Sequence, residues 1–124
     1  MLAPFSRPAV LVVDDDDAVR SALAFSLDLQ GLDVTTFESG EALLIHDLPA
    51  AHACLVLDER LPGISGMETV RQLRDRSVAL PAILVTTNPG PSLRAAAREA
   101  GVPIVEKPLL GDALVAAIRR ALGT

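Results

Sequence analysis

Tryptophan and tyrosine are absent from this chain of 124 residues, and phenylalanine occurs three times, as Phe5, Phe25 and Phe37. A surface that stacks single-stranded bases needs several aromatic faces, so that class of partner is excluded. Basic charge is short as well: eleven Lys and Arg stand against sixteen Asp and Glu, giving a formal net charge of −5 and a pI near 4.8. That is the wrong sign for a domain that grips phosphate backbones, and direct nucleic-acid contact is not expected. Cysteine occurs once, as Cys54, which permits no internal disulfide and fits a reducing compartment. Long apolar runs are missing: the longest, Val78–Val85, has eight residues and contains Pro81, against about 20 for a membrane span. Residues 1–8 lack the charged-then-apolar pattern of a secretory leader. The expectation is a small cytoplasmic domain with no membrane partner.

Half the residues are apolar, which rules out disorder, and the length suits one domain with a real core. Apolar runs recur at Ala9–Val13, Leu32–Phe37, Ala53–Leu57, Ala82–Thr86 and Val102–Val105. Four are nearly continuous, as strands buried on both faces of a parallel sheet should be; Leu32–Phe37 is mixed and reads as an edge strand. Helical patterns lie between them. Ala18, Ala22, Phe25 and Leu29 make one face of a first helix ended by Gly31, and Glu41–Asp47 is a short second one before Pro49. Ser65 and Glu68 form a capping box for a third, with Met67, Val70 and Leu73 inward and Arg71, Arg74 and Arg76 outward. Ser92–Ala100 is a fourth. Leu110, Ala113, Leu114, Ala117, Ile118 and Ala121 mark a fifth, with Arg119 and Arg120 where the helix dipole favours cations. This alternation implies a single doubly wound α/β domain, core 9–122, with five parallel strands and five helices. The chain ends with its fifth helix, so no output domain is expected within it.

Ligands of an open parallel sheet bind beyond the carboxyl ends of its strands. There the sequence places Asp14–Asp17 after the first strand, Asp58 after the third, Thr86 and Thr87 after the fourth, and Glu106-Lys107-Pro108 after the fifth. Asp14, Asp15 and Asp58 converge if the first and third strands are neighbours. Three such charges repel unless neutralised, and a hard divalent cation that keeps several waters, Mg²⁺, is the natural answer. Asp16 and Asp17 read instead as the start of the first helix. Lys107 is the one lysine beside ten arginines, a compact point charge able to meet a phosphoryl oxygen. Thr86 adds a hydroxyl. Together these groups suit phosphoryl transfer onto Asp58, giving a labile acyl phosphate. His46 and His52 read as surface residues and Cys54 as a small core residue.

At these positions the sequence resembles the receiver domain of two-component response regulators, most closely the FixJ type. The likeness runs from Val10 to Leu122 and is carried by Val12–Asp16, by Leu55–Gly66, by Val85-Thr86 and by Glu106-Lys107-Pro108. It implies a flavodoxin-like sheet in the order 2-1-3-4-5. It also implies a phosphorelay role: Asp58 takes phosphate from a sensor histidine kinase or histidine phosphotransfer protein. Further implied are Mg²⁺ held directly by Asp15, Asp58 and the Glu59 carbonyl, and by Asp14 through water; contacts from Thr86 and Lys107 to the phosphoryl group; and a cis Lys107–Pro108 bond. Output is expected through the fourth helix, fifth strand and fifth helix, to an effector or attached output domain. A homodimer stays open.

The sequence departs from the family where receivers generally carry an aromatic residue three positions before the lysine: here it has Ile104. Pro103, Thr87 and the Asn88–Pro91 stretch add stiffness or bulk nearby. An alternative reading is therefore a receiver-fold interaction module with output independent of phosphorylation. Enzymes on similar sheets fit less well. A haloacid-dehalogenase-type phosphatase wants a second Asp where Arg60 stands, and a flavin domain wants a phosphate loop where four aspartates stand. The chain is read as no enzyme beyond turning over its own phosphate.

Overall fold

The computed structural model describes residues 7–109 and 111–124; Leu110, counted above in the fifth apolar stripe, lies outside them. The elements run β1 (Ala9–Val13), α1 (Asp17–Leu29), β2 (Asp33–Phe37), α2 (Gly40–Leu44), β3 (Ala53–Asp58), α3 (Gly66–Asp75), β4 (Ala82–Thr86), α4 (Pro91–Ala100), β5 (Ile104–Glu106) and α5 (Ala113–Leu122). The strands form one parallel sheet in the order β2-β1-β3-β4-β5, as the resemblance implies.

Residues alternate between the two faces of the sheet, which explains the unbroken apolar runs. Val10, Val12, Cys54, Val56, Ile83 and Val85 pack with Leu27 of α1 and with Leu114, Ala117 and Ile118 of α5. Leu11, Val13, Leu55, Leu57 and Leu84 pack with Leu43 of α2, Met67, Val70 and Leu73 of α3, and Ala97 of α4. The mixed strand β2 is an edge, buried fully only at Phe37.

The face of α1 is a correction. Phe25 and Leu29 stay 70% and 69% exposed, and Ala18 and Ala22 are exposed too. The buried stripe is Leu27 with half-buried Leu23. The helix carries two adjacent apolar stripes, and the aliphatic one fits against Val10 and Val12. Periodicity cannot choose between neighbouring stripes; the packing surface does.

Two strand boundaries move for a shared reason. The apolar runs place Leu32 and Val102 in strands, yet their N–H groups close helices: Leu32 donates to Leu27 O at 3.2 Å and Val102 to Ala97 O at 2.8 Å. Each follows a left-handed glycine, Gly31 or Gly101, the Schellman arrangement. Helix α3 ends the same way on Ser77 (φ 64°), with Val78 donating to Leu73 O at 2.9 Å. A left-handed non-glycine residue is strained. Ser77→Gly is therefore expected to stabilise the fold by about 0.5–1 kcal/mol, read as a higher denaturant midpoint at unchanged slope.

Helix α2 stops at Leu44 rather than Asp47, and the Leu44 carbonyl at its end accepts from Arg76 Nη1 at 2.8 Å. Helix α4 begins one residue early, on Pro91, which suits a first helical position. Several arginines act on helix C-termini like Arg76. Arg7 reaches Asp28 O and Leu32 O, Arg119 reaches Gln30 O, and Arg74 reaches Ala100 O, at 2.8–2.9 Å. This gives the arginine excess a structural use that Lys107 does not share.

Candidate functional site

Strand pairing builds the site. Val13 of β1 is in register with Leu57 of β3, so Asp14 and Asp58 each stand one residue further, side by side at the carboxyl edge. Asp58 is in register with Val85 of β4, and the next residue, Thr86, with Glu106 of β5. Lys107 then follows, its N–H donating to Thr86 O at 2.8 Å. Asp14, Asp58 and Thr86 are buried, whereas Asp15 is exposed.

One carboxylate oxygen from each of Asp14, Asp15 and Asp58 lies within 4.8 Å of the others. Lys107 Nζ is 3.0 Å from Asp58 Oδ2 and 4.0 Å from Asp14 Oδ2. One ammonium against three carboxylates leaves the cluster short of positive charge. A set of hard oxygen donors in that condition fits a hard divalent cation. The Lys107–Pro108 bond is cis.

Burial pushes the Asp14 carboxyl above its ordinary value. The Asp16 N–H, at 2.9 Å from its Oδ1, partly opposes the rise, Asp58 adds repulsion and Lys107 relieves some of it. Protonating Asp14 thus favours the folded state. This contribution is complete below the unfolded value near 3.8 and is lost as pH rises through the higher folded value. At neutral pH the charge is a net cost that a cation would relieve. Asp14→Asn is accordingly expected to raise Tm by a few degrees at pH 7 in chelator, and to shrink the Tm gain on adding Mg²⁺. Thermal melts with and without Mg²⁺ check this; a lower Tm in chelator would contradict it.

The loop after β3 is held by contacts that reach beyond the capping box expected at Ser65. Ser65 Oγ accepts from Glu68 N–H at 3.1 Å, as the capping box predicts. Glu68 does not reach back; its carboxylate bonds Arg71 and Gln72. The second N–H of α3, on Met67, donates instead to Glu59 Oε1 at 2.8 Å. The Glu59 carboxylate therefore faces α3, not the aspartates, and burial raises its pKa against the pull of that N–H. Its carbonyl, the ligand atom the resemblance implies, accepts from Gly66 N–H at 3.2 Å. A Cβ at Gly66 would press on the Asp58 carbonyl, so that close approach requires glycine. Glu41 Oε2 takes Ile64 N–H at 3.1 Å from the far side.

Asp16 caps α1 as expected, accepting from Ala18 and Val19 N–H at 2.9 and 3.1 Å. Ile104 is half-buried at the start of β5, and Arg94 of α4 pairs with Glu106 at 3.1 Å. His46 and His52 are exposed, away from the cluster members, and Cys54 is buried with its thiol pushed up to about 12. Beside Lys107 opens a groove of about 370 Å³, lined by Val19, Ala22, Leu23, Ser26, Pro108 and Leu109. Among the described residues no helix is long and apolar enough to cross a membrane.

The sequence profile described as "Response regulator receiver domain" matches residues 10–119. The chain is 41% identical over 121 residues to transcriptional regulatory protein FixJ of Azorhizobium caulinodans, covering 97% of this chain and 57% of that protein. It is 40% identical over 122 residues to the C4-dicarboxylate transport transcriptional regulatory protein DctD of Pseudomonas aeruginosa, covering 97% of this chain and 26% of that one. The crystal structure of FixJ-N superposes with a TM-score of 0.85 at 33% identity, over 95% of each chain. The chain thus spans about half or less of the length of these two curated relatives.

Proposed function

Because the chain belongs to the response regulator receiver family, a class of signalling modules rather than conventional enzymes, we propose that Asp58 accepts a phosphoryl group from the phosphohistidine of a sensor kinase or phosphotransfer protein. The observation that carries this reading is the placement of Lys107 Nζ 3.0 Å from Asp58, within an aspartate cluster suited to a divalent cation.

In the proposed reaction an Asp58 carboxylate oxygen attacks phosphorus in line. The O–P bond forms as the P–N bond breaks, and the electron pair leaves with the donor imidazole, which takes up a proton. Lys107 neutralises an oxygen of the transferring group and Thr86 donates a hydrogen bond to another. Asp14, Asp15 and Asp58 would hold Mg²⁺. Bound there, Mg²⁺ would offset the repulsion between carboxylates and phosphoryl oxygens. The groove beside Lys107, with exposed Phe25 and Leu29 on the same helix, supports approach of the donor along α1. We assign output to the face of α4, β5 and α5, toward an effector or a domain attached to this receiver unit.

The test is intact mass after incubation with a small acyl phosphate, with and without Mg²⁺. The expected result is a gain of one phosphoryl group that requires Mg²⁺. No gain, together with no Mg²⁺ binding, would favour a constitutive interaction module. Half-buried Ile104 is the observation that favours this second reading. A spectrum unchanged at α4 and β5 on phosphorylation would support it.

A further inference from the structure

Arg20 was not singled out by its sequence pattern, yet its side chain spans the turn that presents the aspartates. Its Nη1 donates to the Asp14 carbonyl at 2.7 Å, and its Nη2 meets Asp17 Oδ1 at 2.9 Å. The two branches are unequal. Asp17 is 92% exposed and the Arg20 side chain 17%, so the ion pair contributes little and the half-buried, charge-assisted bond to the carbonyl dominates.

We infer that Arg20 is a positioning residue for the metal ligands, resting on the receiver reading above. The ladder ends at Asp14: its N–H donates to Phe37 O at 3.1 Å, while its carbonyl accepts from the Arg20 side chain. Helical side chains lean toward the N-terminus, so Arg20, in the first turn of α1, folds back and fastens that carbonyl. With Asp16 N–H on Asp14 Oδ1, backbone and side chain of Asp14 are tied to one helix end. Four consecutive aspartates would otherwise splay apart by repulsion. Arg20 holds Asp14 and Asp15 on the side of the turn that faces Asp58.

The sign of one measurement separates position from charge. A guanidinium acting only as a nearby cation opposes Mg²⁺, and its loss would tighten binding. A guanidinium acting through geometry helps Mg²⁺, and its loss weakens binding by about tenfold, as for other residues that orient metal ligands. Calorimetric titration with Mg²⁺ is made on wild type, Arg20→Ala, Arg20→Gln, Arg20→Lys and Asp17→Asn, each confirmed folded by its thermal transition.

The inference expects weaker binding in Arg20→Ala and Arg20→Gln, partial rescue in Arg20→Lys, and little change in Asp17→Asn. The Mg²⁺ concentration that half-saturates phosphorylation by a small acyl phosphate should shift by the same factor. Unchanged or tighter binding in both Arg20→Ala and Arg20→Gln overturns the inference and leaves the receiver reading intact. Wild type that neither binds Mg²⁺ nor gains a phosphoryl group overturns both.

Discussion

Asp58→Asn is expected to abolish the Mg²⁺-dependent gain of one phosphoryl group while leaving the protein folded. The amide keeps the carboxylate's shape, and its oxygen can still accept the Arg60 N–H that now reaches Asp58 Oδ1 at 3.3 Å. It is not a nucleophile, because the nitrogen draws electron density from the oxygen that would attack. Neighbouring carboxylates do not replace it: Asp14 Oδ1 is engaged by Asp16 N–H, and neither Asp14 nor Asp15 has Lys107 at 3.0 Å. Removing one of three crowded charges should leave Tm in chelator equal to or above that of wild type. Intact mass of both proteins after donor incubation, with peptide mapping of any product, checks the result. Acceptance of phosphate at another residue of Asp58→Asn would contradict the assignment.

Lys107→Ala is expected to keep Mg²⁺ binding and lose about 100-fold or more in phosphorylation rate, the scale of removing a donor aimed at developing charge. Among the described residues, Lys107 supplies the one ammonium near Asp58 and Asp14. Its loss makes the cluster more negative, so Mg²⁺ should bind at least as tightly. The phosphoryl group, itself anionic, then approaches with less of its charge met. The two readouts move in opposite directions, which general unfolding cannot mimic. Calorimetry with Mg²⁺ and a time course of mass gain test the pair; a wild-type rate would remove Lys107 from the reaction. Lys107→Arg should not restore the rate fully, because a planar fork presents its charge differently from a compact ammonium.

Much of the site was legible because strand ends are local features. An apolar run followed at once by Asp14, Asp58 or Thr86, or after one further residue by Lys107, announces both a strand and what stands at its edge. Asp16 as a cap and Ser65 as half a capping box were legible for the same reason, since donor and acceptor lie within three residues. Glu59 was harder. The resemblance implies a role for its carbonyl alone, while its carboxylate is drawn to Met67 N–H, eight residues on, by a loop whose path is set by packing.

Composition, alternation of apolar runs with helical periods, and the residues after each run were enough to determine an α/β fold with an acidic, lysine-bearing edge. Hydrophobic burial and backbone hydrogen bonding impose those local patterns on a chain before its elements meet. Only the tertiary structure decided which stripe of α1 is buried, that Leu32 and Val102 close helices, and that Arg20 seats the Asp14 carbonyl. It also set contacts across 49 residues, as between Lys107 and Asp58, and across 89, as between Arg119 and Gln30. These outcomes depend on competition between surfaces and donors that become neighbours on folding, and residue spacing along the chain carries no measure of that competition.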